Sequence, residues 1–238
     1  MSGHSHFKTI MHKKGAADAK RSQIFSKLAK EITVAAKEGG IDFTTNPRLR
    51  TVIEKAREAN MPADNIDRAI KKATGADAGQ LEEILLEAYG SGGIAILIAA
   101  ITDNKNRTLG ELKQILQKNQ GKMVEGGAVR WLFEQKGVAT IDPANIKLLK
   151  KDELELQLIE AGAEDIRWSE ETPEAYIEFT KLSALKEHLA SQGIIAQTSV
   201  DWVPKERIEA ADKDKEAAGK LFDALDEHDD VQDIYINI

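Results

Sequence analysis

The chain has 238 residues, 42% of them apolar and 31% charged, with a net charge of −7 and no cysteine. That composition describes a folded chain long enough for one large domain or two to three small ones, and it excludes disulfides, thiolate metal sites and cysteine nucleophiles. The longest apolar run, Ile94–Ile101, falls short of the roughly 18 residues that span a bilayer, and Met1–His6 lacks the apolar core of a secretion signal. A cytoplasmic protein without membrane contact is expected.

Residues 1–16 carry Lys8, Lys13 and Lys14 with little periodicity and read as a basic arm. From Asp18 to Glu38 the pattern is helical, with Ile24, Phe25, Leu28, Ile32 and Ala35 on one side and Lys20, Lys27, Lys30 and Lys37 off it. Gly39-Gly40 stops that helix. Asn46 as cap and Pro47 at the first position open a second, which buries Leu49, Val52, Ile53 and Ala56. Pro62 opens a third with Ile66, Ala69 and Ile70, closed by Gly75. These make a three-helix bundle, followed by a linker at Ala76–Gly79.

Beyond the linker the period changes. Glu82–Tyr89 and Ile94–Thr102 read as a hairpin around Gly90–Gly93, followed by a polar loop at Thr102–Thr108, a helix over Leu109–Gln120 and a strand at Ala128–Glu134. Then come strands at Val138–Ile141, Asp165–Trp168, Ala175–Thr180 and Ile194–Val203, with helices at Asp152–Ala161 and Leu182–Ser191. That order is βαββαβ, a ferredoxin-like sandwich. A helix (Asp212–Glu227) and a strand (Val231–Ile236) remain, too little for a domain, so they are expected to return to the sheet begun at residue 81. The fold class is α+β and multidomain: a basic helical domain with its arm (1–77), an α+β domain (78–135 and 205–238), and an inserted ferredoxin-like domain (136–204).

Charge is split along the chain. Residues 1–75 hold 15 of the 33 Lys and Arg but 8 of the 40 Asp and Glu, a balance of +7 that leaves −14 for the rest. A cationic cluster releases counterions when it neutralises phosphates, so the head reads as a nucleic-acid surface. The bland alternative is a solvated helix face, and a third is a basic helix on an anionic membrane, disfavoured by an apolar side that lacks Trp and is sized for a bundle core. Candidate phosphate contacts are Lys8, Lys13, Lys14, Lys20, Arg21, Lys27, Lys30, Arg48, Arg50, Lys71 and Lys72, with Lys105 and Arg107 from the polar loop. That loop reads equally as turn chemistry with Asn106 or Thr108 capping the next helix. Base readout is thinly equipped: neither turn of the bundle clearly delivers a recognition helix, and Phe7, Phe25 and Phe43 are its only aromatics.

Metal readings exist but are weak. Ser2-Gly3-His4 suits square-planar copper or nickel only after loss of Met1, and Asp226–Asp230 is more readily a solvated acidic helix end than a hard-cation site. No GxxxxGK[ST], GxGxxG, HExxH or GxSxG occurs. A non-enzyme without cofactor or metal is expected.

Several of these residues together resemble the YebC/PmpR family. They are Gly3–Lys8, Lys13-Lys14, Asp18–Arg21, Ile24–Lys27, Glu31–Ala36, Asn46–Arg50, Ala59–Pro62 and Arg68–Lys72, then Thr102–Thr108, Trp131–Phe133, Glu160–Asp165 and Asp229–Tyr235. Phe7 stands where that family usually has Trp, and Met123–Glu125 departs from its usual small, polar stretch. The resemblance covers essentially the full length. It implies a helical bundle followed by an α+β domain holding a ferredoxin-like insertion. It also implies a role as a DNA-binding transcriptional regulator, the family's general label. The family includes a mitochondrial translational activator of cytochrome oxidase, and some bacterial members are linked to ribosomes paused on proline-rich stretches. DNA, ribosomal RNA and the ribosome are therefore the partners implied, and a protein-interaction scaffold is the reading from a different class.

Overall fold

A computed structural model describes residues 17–75, 81–142, 150–169 and 172–238. The arm, with Lys8, Lys13 and Lys14, and the Ala76–Gly79 linker lie outside the described residues.

The bundle comprises α1 (Ala17–Gly39), α2 (Pro47–Glu58) and α3 (Ala63–Lys72). Leu28, Ile32 and Ala35 of α1 pack with Leu49, Val52, Ile53 and Ala56 of α2 and with Met61, Ile66 and Ala69. Each fully buried Leu or Ile here contributes about 1.5–3 kcal/mol. Asn46 caps α2, accepting from the Leu49 amide at 3.0 Å. Its amide group also donates to the carbonyls of Ala35 and Gly40, both at 2.8 Å, so one buried side chain closes α1 and opens α2. Gly39 is required by that approach: a Cβ there would lie 2.5 Å from the Asn46 Nδ2.

The first sheet follows, in the order β3-β1-β2-β8, from β1 (Glu82–Tyr89), β2 (Ala95–Thr102), β3 (Lys122–Val124) and β8 (Val231–Ile236). β1 and β2 pair antiparallel from Glu82 opposite Thr102 to Tyr89 opposite Ala95. Gly92 and Gly93, at φ +68° and +78°, make the turn between them. The sheet is served by α4 (Lys105–Lys118) and α7 (Asp212–Asp226), whose Leu112, Leu116, Leu221, Phe222 and Leu225 are buried. Strand β8 therefore returns from the far end of the chain to a sheet begun near residue 81. Val34 of α1 packs with Leu81 and Ile101, seating the bundle on this sheet. Residues 17–75, 81–126 and 210–234 group as one compact unit.

The described residues between 127 and 209, with the last four of the chain, belong to the other unit. There β4 (Phe133–Ile141), β5 (Asp165–Ser169), β6 (Thr172–Ile177) and β7 (Ala196–Pro204) form an antiparallel sheet in the order β5-β6-β4-β7. With α5 (Lys151–Glu160) and α6 (Leu182–Ser191) this is the ferredoxin-like order. Ala139, Ile141, Ala175 and Ile177 face Leu154, Leu158, Leu185 and Leu189 of the helices, while Val138, Tyr176 and Val203 cluster separately through the alternation of strand side chains.

Four expectations are corrected. The strand expected at Ala128–Glu134 begins only at Phe133: Arg130–Leu132 is a 3-10 turn, because the Leu132 amide bonds back to the Val129 carbonyl at 2.9 Å and the Trp131 indole to that of Ala128 at 3.0 Å. Strand β4 then runs unbroken, held in register by β7 from Phe133 opposite Pro204 to Ile141 opposite Ala196. Strand β6 ends at Ile177 rather than Thr180, since the Glu178 carbonyl accepts from the Lys181 amide and opens a 3-10 turn. Helix α4 starts at Lys105, capped by Asn104 rather than Asn106 or Thr108.

Candidate nucleic-acid interface

The described candidate cations divide into two groups. One group is tied internally. Lys27 on α1 reaches the acidic end of α7, donating to the Asp226 carbonyl at 2.7 Å and its carboxylate at 2.9 Å. Gln23 bonds the same carbonyl at 3.0 Å. A helix C-terminus presents unpaired carbonyls and a negative dipole end, so an ammonium group is a fitting cap there. One turn further along α1, Lys30 donates to the Asp229 carbonyl at 2.9 Å and to Asp230 Oδ1 at 2.6 Å.

Asp230 is the centre of this arrangement. Its Oδ2 accepts from Arg107 Nη2 at 3.0 Å and from Thr108 Oγ1 at 2.6 Å, and its side chain is only 5% exposed. Burial alone would raise its pKa; hydrogen bonds from Lys30, Thr108 and Arg107, with the Lys30 charge, outweigh that and lower it to about 2. The Asp230 amide donates to His228 Nδ1 at 3.1 Å, and His228 Nε2 lies 3.0 Å from Glu111 Oε2. Glu111, His228 and Asp230 have the donor types of a metal site, with atoms within 4.8 Å of one another. Both Asp230 oxygens already accept bonds from cationic or hydroxyl donors, so the cluster is a salt-bridged anchor. The polar loop thus takes part in tertiary structure through Arg107 and Thr108.

Arg48 is likewise tied, pairing with Glu38 of α1 and Glu83 of β1. Arg50 folds back onto the carbonyls of Phe43 and Thr44, at 3.2 and 2.8 Å. The other group comprises Lys20, Arg21, Lys71, Lys72 and Lys105. All are exposed, and none makes an ion pair among the described residues.

Between α1 and α3 lies a cavity of about 400 Å³. Ser22, Ser26 and Lys30 line the α1 side, Asn65, Arg68 and Lys72 the α3 side, with Phe25, Ala29, Thr33, Met61 and Ala69 between them and Leu81 at one end. These positions recur at three- and four-residue spacing, which places each set on one helix face. The Thr33 hydroxyl has one hydrogen to share between the Ala29 carbonyl of its own helix, at 2.8 Å, and the Ala69 carbonyl of α3, at 3.1 Å. The Arg68 guanidinium is steered by its own helix, through the Asp64 carbonyl at 3.1 Å and the Asn65 side chain. Among the described residues no carboxylate lines the cavity. In sequence, Lys30 and Lys72 stand out as candidate cations, whereas Phe25 falls on the apolar side of α1 and Arg68 enters only with the family resemblance. The α1 signal was present: Ser22, Ser26 and Lys30 form a polar i, i+4, i+8 row beside Phe25, Ala29 and Thr33.

Two family models match the chain end to end: "TACO1/YebC protein N-terminal domain" over residues 5–76 and "TACO1/YebC second and third domain" over residues 81–238. The chain belongs to the TACO1/YebC family. A relative in Fervidobacterium nodosum, named "Probable transcriptional regulatory protein", is 49% identical across all of this chain and 93% of its own length. The "Probable transcriptional regulatory protein YrbC" of Bacillus subtilis is 47% identical across all of this chain and 99% of its own. The crystal structure of a "conserved hypothetical protein" from Aquifex aeolicus superposes with a TM-score of 0.87 at 40% identity, covering 96% of this chain and 94% of that one. The TACO1/YebC fold is thus shared over nearly the whole length. Among the described residues no helix is long and apolar enough to cross a membrane.

Proposed function

We propose that this protein is a non-catalytic regulator of gene expression that grips the phosphate backbone of nucleic acid with its basic helical domain. The carrying observation is the division of the cations. Lys20, Arg21, Lys71, Lys72 and Lys105 stand exposed without ion pairs among the described residues, on a chain whose net charge is −7. Free cations on a rigid support neutralise phosphates without base-specific geometry. Lys27, Lys30, Arg48 and Arg107 have the other task, holding that support to the sheet. Lys8, Lys13 and Lys14 of the arm add charge to the same segment of sequence. The names of the relatives favour DNA and transcription. In this reading the chain acts through three domains, 1–77, 78–135 with 205–238, and 136–204, without cofactor or metal.

A ribosomal RNA target is the second reading. The exposed face of α3 carries Asp64 and Asp67 beside Arg68, Lys71 and Lys72, a mixture ill suited to lie along a major groove. A folded RNA offers shape instead. Retention of the full chain on duplex DNA, on structured RNA and on ribosomes across a salt series separates the two. Salt-sensitive retention on duplex DNA supports the first reading and retention confined to ribosomes the second; no retention on any of them overturns both.

A further inference from the structure

We propose that the α1–α3 cavity holds one unpaired nucleotide of a single strand, its base against the Phe25 ring and its phosphate between Arg68 and Lys72. The inference rests on the nucleic-acid reading and deepens it by naming the ligand and its seat. Size is the first argument. About 400 Å³ falls in the range of small-ligand sites, roughly 300–1,000 Å³, and suits a single nucleotide.

The distribution of chemistry is the second. A nucleotide presents an apolar ring face, a rim of donors and acceptors, and an anion. The cavity offers an aromatic ring among apolar neighbours, the hydroxyls of Ser22 and Ser26 on one wall, and two cations on the other. Lys72 makes no ion pair among the described residues, and Arg68 bonds only neutral oxygens of its own helix. On a chain with 40 acidic residues, no described residue of the lining is a carboxylate, so the described walls give an incoming phosphate nothing to repel it.

Preorganisation is the third. Phe25 is partly buried, packed against the bundle core, so its ring is held before a base arrives. Packing of α1 and α3 in the bundle core holds the two walls in place, and Asn65 orients the guanidinium. Stacking on a held ring is tolerant of sequence, because every base has a face to stack. A paired base is enclosed in its own duplex and cannot reach the cavity floor, so this seat distinguishes single from double strands.

The test is fluorescence anisotropy of the full chain with labelled oligouridine, oligothymidine, and the duplex of each. The wild-type protein is expected to bind a single strand more tightly than its duplex, and the uridine-to-thymidine ratio tells whether the RNA or the DNA strand is preferred. Phe25→Leu is expected to weaken single-strand binding about tenfold with the duplex unaffected. Because Phe25 touches the core, Ser26→Leu gives an independent check: Ser26 is exposed, and leucine there fills the cavity without charge or aromatic surface. It too should lose about tenfold on the single strand alone. Arg68→Gln with Lys72→Gln should lower the salt slope for the single strand by about 1.4. If single strand and duplex bind alike and Ser26→Leu changes neither, the cavity is not the seat, while the nucleic-acid reading stands. If wild-type protein binds no polymer even at low salt, that reading falls and takes the cavity with it.

Discussion

Asp230 shows how much one carboxylate can decide. It takes three side-chain hydrogen bonds, from Lys30, Arg107 and Thr108, at 5% exposure. Removing the charge while keeping the shape, as in Asp230→Asn, leaves the Lys30 ammonium facing a neutral group in a largely desolvated setting. The pH dependence follows from the depressed pKa. A carboxyl lowered from an ordinary 3.8 to about 2 stabilises the fold above pH 4, and that stability is lost as pH falls towards 2. Such a shift corresponds to about 2 kcal/mol. Urea unfolding is expected to show Asp230→Asn less stable than wild type by about 2 kcal/mol above pH 4, with the gap closing towards pH 2. A gap that does not change with pH would mean that the carboxylate's ionisation contributes nothing. None of this was legible in sequence. In sequence Asp226–Asp230 reads as a solvated acidic helix end, which the 5% exposure of the Asp230 side chain overturns, and partners 122 to 200 residues away leave no local trace.

Helices and strands were legible wherever a local rule had no competitor. Asn46-Pro47 has cap chemistry and a fixed φ in adjacent residues, and α2 begins there. The βαββαβ order emerged because each helix and strand carries its own period. Misplacement occurred where tertiary bonds outvoted propensity. Ala128–Glu134 is apolar enough for a strand, yet the Ala128 and Val129 carbonyls are used by a turn and only Phe133 and Glu134 join β4. β3 was missed because three residues carry no period, and only β1 shows that Met123 pairs with Ala88. Asn46 permits a sharp test of what a cap does between two helices. Aspartate is as good an isolated cap as asparagine, but here the Nδ2 donations to Ala35 and Gly40 would become a carboxylate facing two carbonyls, at 3% exposure. Asn46→Asp is therefore expected to destabilise by about 2 kcal/mol or more, no less than Asn46→Ala, in urea unfolding. An Asn46→Asp protein as stable as wild type would show that capping alone matters and that the tie to α1 is idle.

At the scale of the whole molecule, the split between a basic front and an acidic remainder was plain from the sequence, but the roles within the front were not. Counting charges treats Lys27 and Lys20 alike. In the fold, Lys27 is 13% exposed and bound to Asp226, whereas Lys20 is exposed and acts on Asp223 of α7 through its charge alone, without an ion pair. Part of the positive excess is thus answered by the acidic end of α7, and the remainder is what an external polyanion can meet. This division predicts two different phenotypes. Replacing Lys20, Arg21, Lys71 and Lys105 together by glutamine removes four unpaired cations and no described ion pair. The slope of log affinity against log salt for duplex DNA should then fall by about 3.6, with the unfolding curve unchanged. Lys27→Gln should do the reverse. It removes a half-buried ion pair and a cap of α7, so it lowers stability by about 1 kcal/mol while leaving the salt slope near its wild-type value. Measuring both quantities on both proteins checks the division: if Lys27→Gln reduces the slope as much per charge as the fourfold variant does, the internal and external cations are one pool, and docking on α7 does not withhold Lys27 from the phosphate surface.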